Sequence, residues 1–333
     1  MSAHPTSLII NGLGAVSAAG WSVRELMNVV VAGREIDTVT SPRSTGPREW
    51  DCRFRPVPAP PADKLPKHPR LRRVSNVTRF AMASALEALN GQTPEPGSLG
   101  LIVCLMNGCV AFTNRFYNEV IDQPALASPI LFPETVFNAP ASHVAACLGI
   151  SGPVTTLIGE PSLIAEALCT ADAWLTAGLV KHCLVIGAEE ADWLSTEGVS
   201  YYDPRLVVGE GAGALLVSHS GAGPRVKSVA GPFAYHNSRA RRDELKQMAE
   251  SVHGSLLIDG AVGVDRFDKD EKAAWSKHSG ETVSPLHLLG ECMGSAGALQ
   301  LVIGAALAAT RQCDAVISMP GTNTAAYACV ISA

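Results

Sequence analysis

Short apolar runs alternate with Ala-rich amphipathic stretches along this chain, and Gly, Pro or Asn punctuates the junctions. Residues 7–11 predict a first buried strand. Gly12, Gly14 and Gly20 follow in a tight loop, and Ser22 is placed to cap a helix starting near Val23. Helical spacing of Phe80, Ala81, Ala85, Leu86 and Leu89 predicts a helix over 78–90, and the unbroken run 101–106 predicts a buried strand. Further on, the pattern predicts a helix over 139–148 ended by Gly149, a strand at 153–158, a helix at 162–177 and strands at 182–187 and 212–218. A second series begins near Arg225. It comprises strands at 226–230, 256–258, 315–319 and 326–332, with helices at 241–252 and 296–309.

The two series echo each other. Leu184-Val185-Ile186-Gly187 followed by Gly211 to Ser218 is similar to Ala315-Val316-Ile317-Ser318 followed by Ala325 to Ser332. This predicts an α/β protein of two similar βαβ-rich halves, 1–220 and a reduced 221–333, stacked in five layers of helices and sheets.

Composition fits that class. The 333 residues are 47% hydrophobic but only 5% aromatic, with 30 Gly, which suits close packing of helices on buried strands. A net charge of −5 gives no global bias toward nucleic acid. The nine Cys show no C-x-x-C and no Cys/His cluster, so they predict small core residues in a reducing compartment and no metal site. No signal peptide and no unbroken apolar run of membrane-spanning length is evident, and a soluble cytoplasmic protein is expected. Residues 41–73 are richer in Pro and in basic side chains, which extend from Arg43 to Arg79. They read as a solvated surface loop or as a docking patch for an acidic partner, centred on Lys67, Arg70, Arg72 and Arg73.

The most telling stretch is Gly152 to Ser162, an apolar strand running through a tight turn into a helix. Such a turn can hold a nucleophile over a helix N-terminus, where the dipole favours a thiolate. Here the turn carries Pro161, which has no nucleophilic atom. Proline is well tolerated at a first helical position, so the turn can persist without the chemistry.

Five segments in order resemble the β-ketoacyl-acyl carrier protein synthases of the thiolase superfamily. They are Asn11-Gly12-Leu13-Gly14-Ala15-Val16-Ser17; Phe132-Pro133 with Asn138-Ala139-Pro140-Ala141 and the run into Gly152-Pro153; Gly209-Glu210-Gly211-Ala212-Gly213-Ala214; Gly294-Ser295-Ala296-Gly297-Ala298; and Pro320-Gly321-Thr322-Asn323-Thr324. The resemblance spans nearly the whole chain and implies a thiolase-like fold. The family's chemistry uses a Cys to carry the acyl group and two His to assist decarboxylation and stabilise the oxyanion.

Carried over by position, the Cys falls on Pro161, the first His on Gly260 with Asp268 and Glu271 as its anchors, the second His on Glu291 and a Lys on Leu286. The spacings Glu210 to Asp268 and Glu291 to Asn323 are shorter than the family's, and the loop before Gly321 lacks its Phe residues. His143, His182, His236, His253, His278 and His287 match no catalytic position. The resemblance therefore implies a non-catalytic subunit of chain-length-factor type. Such a subunit pairs with an active ketosynthase, as a heterodimer or heterotetramer, serves an acyl carrier protein and needs no cofactor. Residues 107–138, with Phe112, Phe116, Tyr117, Phe132 and Phe137, become the candidate interface and tunnel wall. Glu160 reads either as a helix-start carboxylate or as a group polarising the vestigial pocket. Two other readings stay open: an enzyme with repurposed acyl-transfer, decarboxylase or hydrolase chemistry on Glu160, Glu291 or Cys292, and a stand-alone binder of acyl chains or carrier protein.

Overall fold

A computed structural model describes residues 4–45 and 48–333, the side chains of 43–45, 48, 50 and 96 excepted. In the first half, β1 (His4–Ser17) leads to α1 (Val23–Ala32). A hairpin of β2 (Val39–Thr45) and β3 (Arg48–Arg55) precedes α2 (Asn76–Leu89), β4 (Leu99–Leu105), α3 (Val110–Asp122) and α4 (Ala139–Leu148). Then follow β5 (Val154–Ile158), α5 (Ile164–Thr176), β6 (His182–Glu189), α6 (Trp193–Tyr202), β7 (Val208–Gly209) and β8 (Gly211–Ser218). The second half holds β9 (Arg225–Ala234), α7 (Ser238–Ser251), β10 (Leu256–Ile258), α8 (Asp265–Ala274) and β11 (Glu281–Val283). It closes with α9 (Pro285–Leu289), α10 (Ala296–Arg311), β12 (Ala315–Met319) and β13 (Ala325–Ser332).

The hydrogen-bonded strand order is β11-β10-β12-β13-β9-β1-β8-β6-β4-β5. Each half contributes five strands. Numbered within its own half, each set runs third, second, fourth, fifth, first. The pairings also match in sense: parallel, parallel, antiparallel, antiparallel, as in β5–β4, β4–β6, β6–β8, β8–β1 and in β11–β10, β10–β12, β12–β13, β13–β9. The echoed sequence pairs are β6 with β8 and β12 with β13, the fourth and fifth strands of the two sets. β1 and β9 join the halves.

Alternate faces of the strands feed different cores. Helices α5 and α10 are buried between the two five-stranded sets with Ile102, Val185, Leu215, Ile258 and Ile317. Helices α2 and α4 cover the outer face of the first set against Leu101, Leu184 and Ala214. Helix α7 covers the second set against Phe233, Leu257 and Val316. The result is the five-layered αβαβα arrangement.

The opening motif works by close approach. A Cβ on Gly12 or Gly14 would lie 1.9 Å from the carbonyl oxygen of Ala88 or Ser84, so only glycine lets α2 lie this near β1. Ser22 caps α1 as expected, accepting from Glu25 N, and Gly149 ends α4 in the left-handed region.

Three expectations need correction. Gly12 and Gly14 lie not in a loop but within β1, which runs on to Ser17. The basic segment 41–73 is not all loop, because it contains β2 and β3, whose antiparallel pairing the Pro-rich composition hides. One helical stretch, Met293–Arg311, is long and apolar enough to cross a membrane among the described residues. It is the buried central helix, and its apolarity follows from being covered on all sides.

Candidate functional site

β5 ends at Ile158 and the chain turns through Gly159 and Glu160. Pro161 occupies the first position of a 3-10 turn (Pro161–Leu163) that runs into α5. Ring closure fixes its φ for the helix start, and its missing N–H has no intrahelical partner there. The next residue in the chain, Ser162, is buried and its hydroxyl donates to the Ala325 carbonyl at 3.1 Å. Beyond the turn lies a cavity of about 100 Å³, lined by Pro161, Gly260 and Glu291 together with Met106, Phe267, Met293 and Asn323. Three positions separated by 130 residues of chain thus converge on one small space. It has room for a few waters and is well below the size of an ordinary ligand pocket, roughly 300 Å³ or more.

The Gly260 backbone is held firmly. Its N–H donates to both Glu271 carboxylate oxygens at 3.1 and 3.2 Å, while Val262 N and Gly263 N donate to Asp268 at 3.0 and 2.9 Å. A Cβ on Gly260 would stand 2.6 Å from Cδ of Pro320. The space for a side chain at this position has been taken by the C-terminal loop.

Glu291 directs one carboxylate oxygen to Met293 N at 2.9 Å. Its backbone is pinned between Val207 O (2.8 Å) and Gly209 N (2.9 Å). Burial raises its pKa most; the Met293 N–H lowers it, and the charges of Glu160 and Asp268 raise it further. Leu286, at the Lys position, is a core side chain on α9. Cys292, the other candidate nucleophile, sits in a core environment. Its thiol is buried against Gly209, donates to Gly290 O at 3.3 Å, and burial with the adjacent Glu291 charge pushes its pKa far up.

Glu160 joins the turn to the C-terminal loop. It accepts from Asn323 N at 2.7 Å and from Thr324 N and Oγ1 at 3.2 and 3.0 Å. On the other side of the same loop, the Gly321 carbonyl accepts from the Tyr235 hydroxyl and from Arg241 Nε at 3.1 Å. The Pro320–Thr324 loop is therefore gripped from both sides, over the Pro161 turn.

Sequence reasoning missed two structural carboxylates, Glu189 and Glu190, and gave a third, the motif residue Glu210, no role. Glu189 is fully buried and accepts from Met106, Asn107 and Gly108 N at 2.8, 2.9 and 3.1 Å, and burial raises its pKa to about 7. Glu190 accepts from Asn76 and Val77 N at the start of α2. Its other oxygen is buried without a partner, and its pKa is likewise raised to about 7, chiefly by burial. Glu210 ties Val57 N to Ala191 N. Acidic residues directly after or inside otherwise apolar strands were the available signal. Among the described residues, no three His, Cys, Asp or Glu side chains are placed to hold a metal ion.

The candidate interface residues divide. Tyr117 (60% exposed), Phe132 and Phe137 lie on the surface with Ile121, Leu126 and Ile130, and Phe116 packs its ring 5.4 Å from that of Phe132. Phe112 instead leans inward against the α2/α4 core. β5, at the end of the sheet, continues this face with exposed Val154 and Ile158. Lys67, Arg70, Arg72 and Arg73 are all exposed on and beside the 3-10 turn Pro69–Arg72. The side chains of Arg43 and Arg48 lie outside the described residues.

No protein-family model and no curated protein matches the sequence. Solved structures do match. The ishigamide ketosynthase/chain length factor superimposes with a TM-score of 0.80 at 19% identity, covering 97% of this chain and 98% of that one. A ketosynthase (ApeO) in complex with its chain length factor (ApeC) from Xenorhabdus doucetiae gives 0.78 at 16%, covering 100% of each. AntDE:AntF, a type II acyl-carrier protein in complex with its ketosynthase, gives 0.78 at 14%, covering 99% of each. The chain shares the fold of these ketosynthase and chain-length-factor structures. Within that fold, Pro161, Gly260 and Glu291 face one another across a cavity without a thiol or an imidazole among its lining residues.

Proposed function

We propose that this protein is a non-catalytic ketosynthase-like subunit of chain-length-factor type. It pairs with an active ketosynthase in fatty acid, polyketide or polyene assembly and helps shape that partner's acyl tunnel. The observation that carries this reading is the cavity at the Pro161 turn. By the family resemblance it stands where a reactive centre would, yet Pro161, Gly260 and Glu291 supply no nucleophile and no imidazole, and Pro320 blocks side-chain growth at Gly260. What the chain offers instead is a surface. β5 is a sheet-edge strand with exposed Val154 and Ile158 and no charge or proline to blunt it, and exposed Tyr117, Phe132 and Phe137 lie on the neighbouring segment. An edge of this kind invites pairing with another chain. The exposed Lys67, Arg70, Arg72 and Arg73 are suited to transient docking of an acidic carrier protein.

Co-expression with an active ketosynthase from the same genome, followed by mass measurement of the intact complex and of its product, tests this reading. A mixed complex whose product length changes when Tyr117 or Phe132 is shortened supports it. A stable homodimer that forms no mixed complex, or turnover of malonyl or acyl carrier substrates by the chain alone, overturns it.

A further inference from the structure

Away from the Pro161 cavity, a second hollow of about 370 Å³ opens between α2, α3 and residues 128–134. Three separate elements deliver guanidinium groups to it. Arg73 follows the 3-10 turn, Arg79 sits on α2 and Arg115 on α3, over a floor of Phe112, Ile130 and Leu131. Among the described residues, Arg73 and Arg79 have no carboxylate within ion-pair distance. Arg115 meets Glu119 one turn along its own helix at 3.2 Å, an exposed pair of little strength that is easily exchanged. Glu134, the acidic residue lining the hollow, is turned onto His143 at 2.8 and 3.0 Å.

In a chain whose acids outnumber its bases, two unpaired arginines beside a third held only in a weak exposed pair leave a local excess of positive charge. Guanidinium groups fit a carboxylate by paired N–H donors. The apolar floor matters as much as the charges. A group seated there becomes desolvated once a partner covers the hollow, and arginine beside an aromatic ring is the composition of an interface hot spot rather than of a rim. The hollow is also continuous with the exposed apolar face, since Phe112 belongs to the same helix as Tyr117 and Ile130 is adjacent to Leu131 and Phe132.

We propose that this hollow receives an acidic side chain, Asp or Glu, of the ketosynthase subunit that covers the α3 face, so that charge selects the partner. The inference rests on the paired-subunit reading above. Its test uses the co-expressed complex, with Arg73→Glu and Arg79→Glu singly and together, Arg79→Ala as the mild variant and Lys246→Glu on the distant α7 as control. Subunit affinity is measured at two salt concentrations, and the thermal midpoint of each isolated variant is recorded.

Charge reversal is expected to weaken pairing about ten-fold or more, because a buried ion pair is replaced by like charges. Arg79→Ala weakens pairing with no change of midpoint, Lys246→Glu does nothing, and raised salt narrows the gap between wild type and variants. Wild-type pairing that Arg79→Ala and the double reversal leave intact overturns this proposal and spares the subunit reading. Loss of carrier-protein binding with subunit pairing intact also overturns it, by assigning the hollow to the carrier. Failure of the wild-type chain to pair at all removes both.

Discussion

Glu160 Oε1 accepts the backbone N–H of Asn323 at 2.7 Å, joining the turn that carries Pro161 to the C-terminal loop. Its second oxygen takes Thr324 N and Oγ1. A residue that could have been a repurposed base is a clasp. Its carboxylate accepts from two backbone N–H groups and one hydroxyl, and the loop it holds places Pro320 against Gly260.

Replacing Glu160 with Ala is expected to lower stability by about 1–2 kcal/mol, the net worth of charge-assisted hydrogen bonds at a partly exposed site. Amide hydrogen exchange at Asn323 and Thr324 should accelerate while the strands keep their protection. Unchanged exchange in that loop would show that Glu160 does not hold it.

Restoring the missing chemistry should fail for steric reasons. In Gly260→His the new Cβ meets Pro320 Cδ at 2.6 Å, an overpacking that costs about 1–3 kcal/mol. The double variant Pro161→Cys with Gly260→His is expected to show no malonyl decarboxylation. Chemical denaturation and a carbon dioxide release assay check the two halves of this prediction.

Glu190 sets a pH dependence. Burial raises its folded-state pKa from 4.5 to about 7, so the folded protein holds a proton there that the unfolded chain has lost. Unfolding then releases a proton between those two values, and the stability from this group falls as pH rises from about 4.5 to 7 and is level above. Glu190→Gln keeps an acceptor for Asn76 and Val77 N–H and removes the charge. Denaturation midpoints measured from pH 5 to pH 8 should decline less steeply in this variant than in wild type.

Cys292 should resist thiol reagents in the native protein, since its thiol is buried and its pKa pushed up. Mass-spectrometric mapping after brief alkylation is expected to find label on the partly exposed Cys147, Cys169 and Cys313 first. Early modification of Cys292 would reopen the reading of it as a nucleophile.

Ile158→Lys places a charge on the free edge of β5. Because Ile158 is 54% exposed, the isolated chain should keep its stability within about 0.5 kcal/mol. Pairing with a ketosynthase should weaken sharply, as read by co-purification. A variant that co-purifies like wild type places the partner elsewhere.

Most regular elements were legible in the sequence because their signals are local. The helix over 139–148 begins and ends where Pro140 and Gly149 set it, and the apolar runs 256–258 and 315–319 are β10 and β12. The echo between 184–218 and 315–332 foreshadowed the shared strand order, since paired strands of one topology need the same apolar rhythm. The hairpin at 39–55 escaped because Pro and Arg dominate its composition, and its pairing depends on strand partners rather than on propensity. α6 and α8 escaped for a related reason. α6 spreads Trp193, Leu194, Val199, Tyr201 and Tyr202 around its axis with no single apolar face, and α8 offers only Phe267, Ala273 and Ala274 as apolar positions; α6 packs on β3 and α3, and α8 on α7.

By itself the sequence determined that a strand–turn–helix pattern carries proline at its tip, and that glycine and glutamate stand where the family resemblance puts two histidines, because those facts concern which atoms are present. Only the tertiary structure decided that the three positions meet in one small cavity, that Pro320 has filled the space at Gly260, that Glu160 grips a loop, and that three arginines from separate elements share one hollow. Each of these depends on distances between residues far apart in the chain, and such distances are set by how helices and sheets stack.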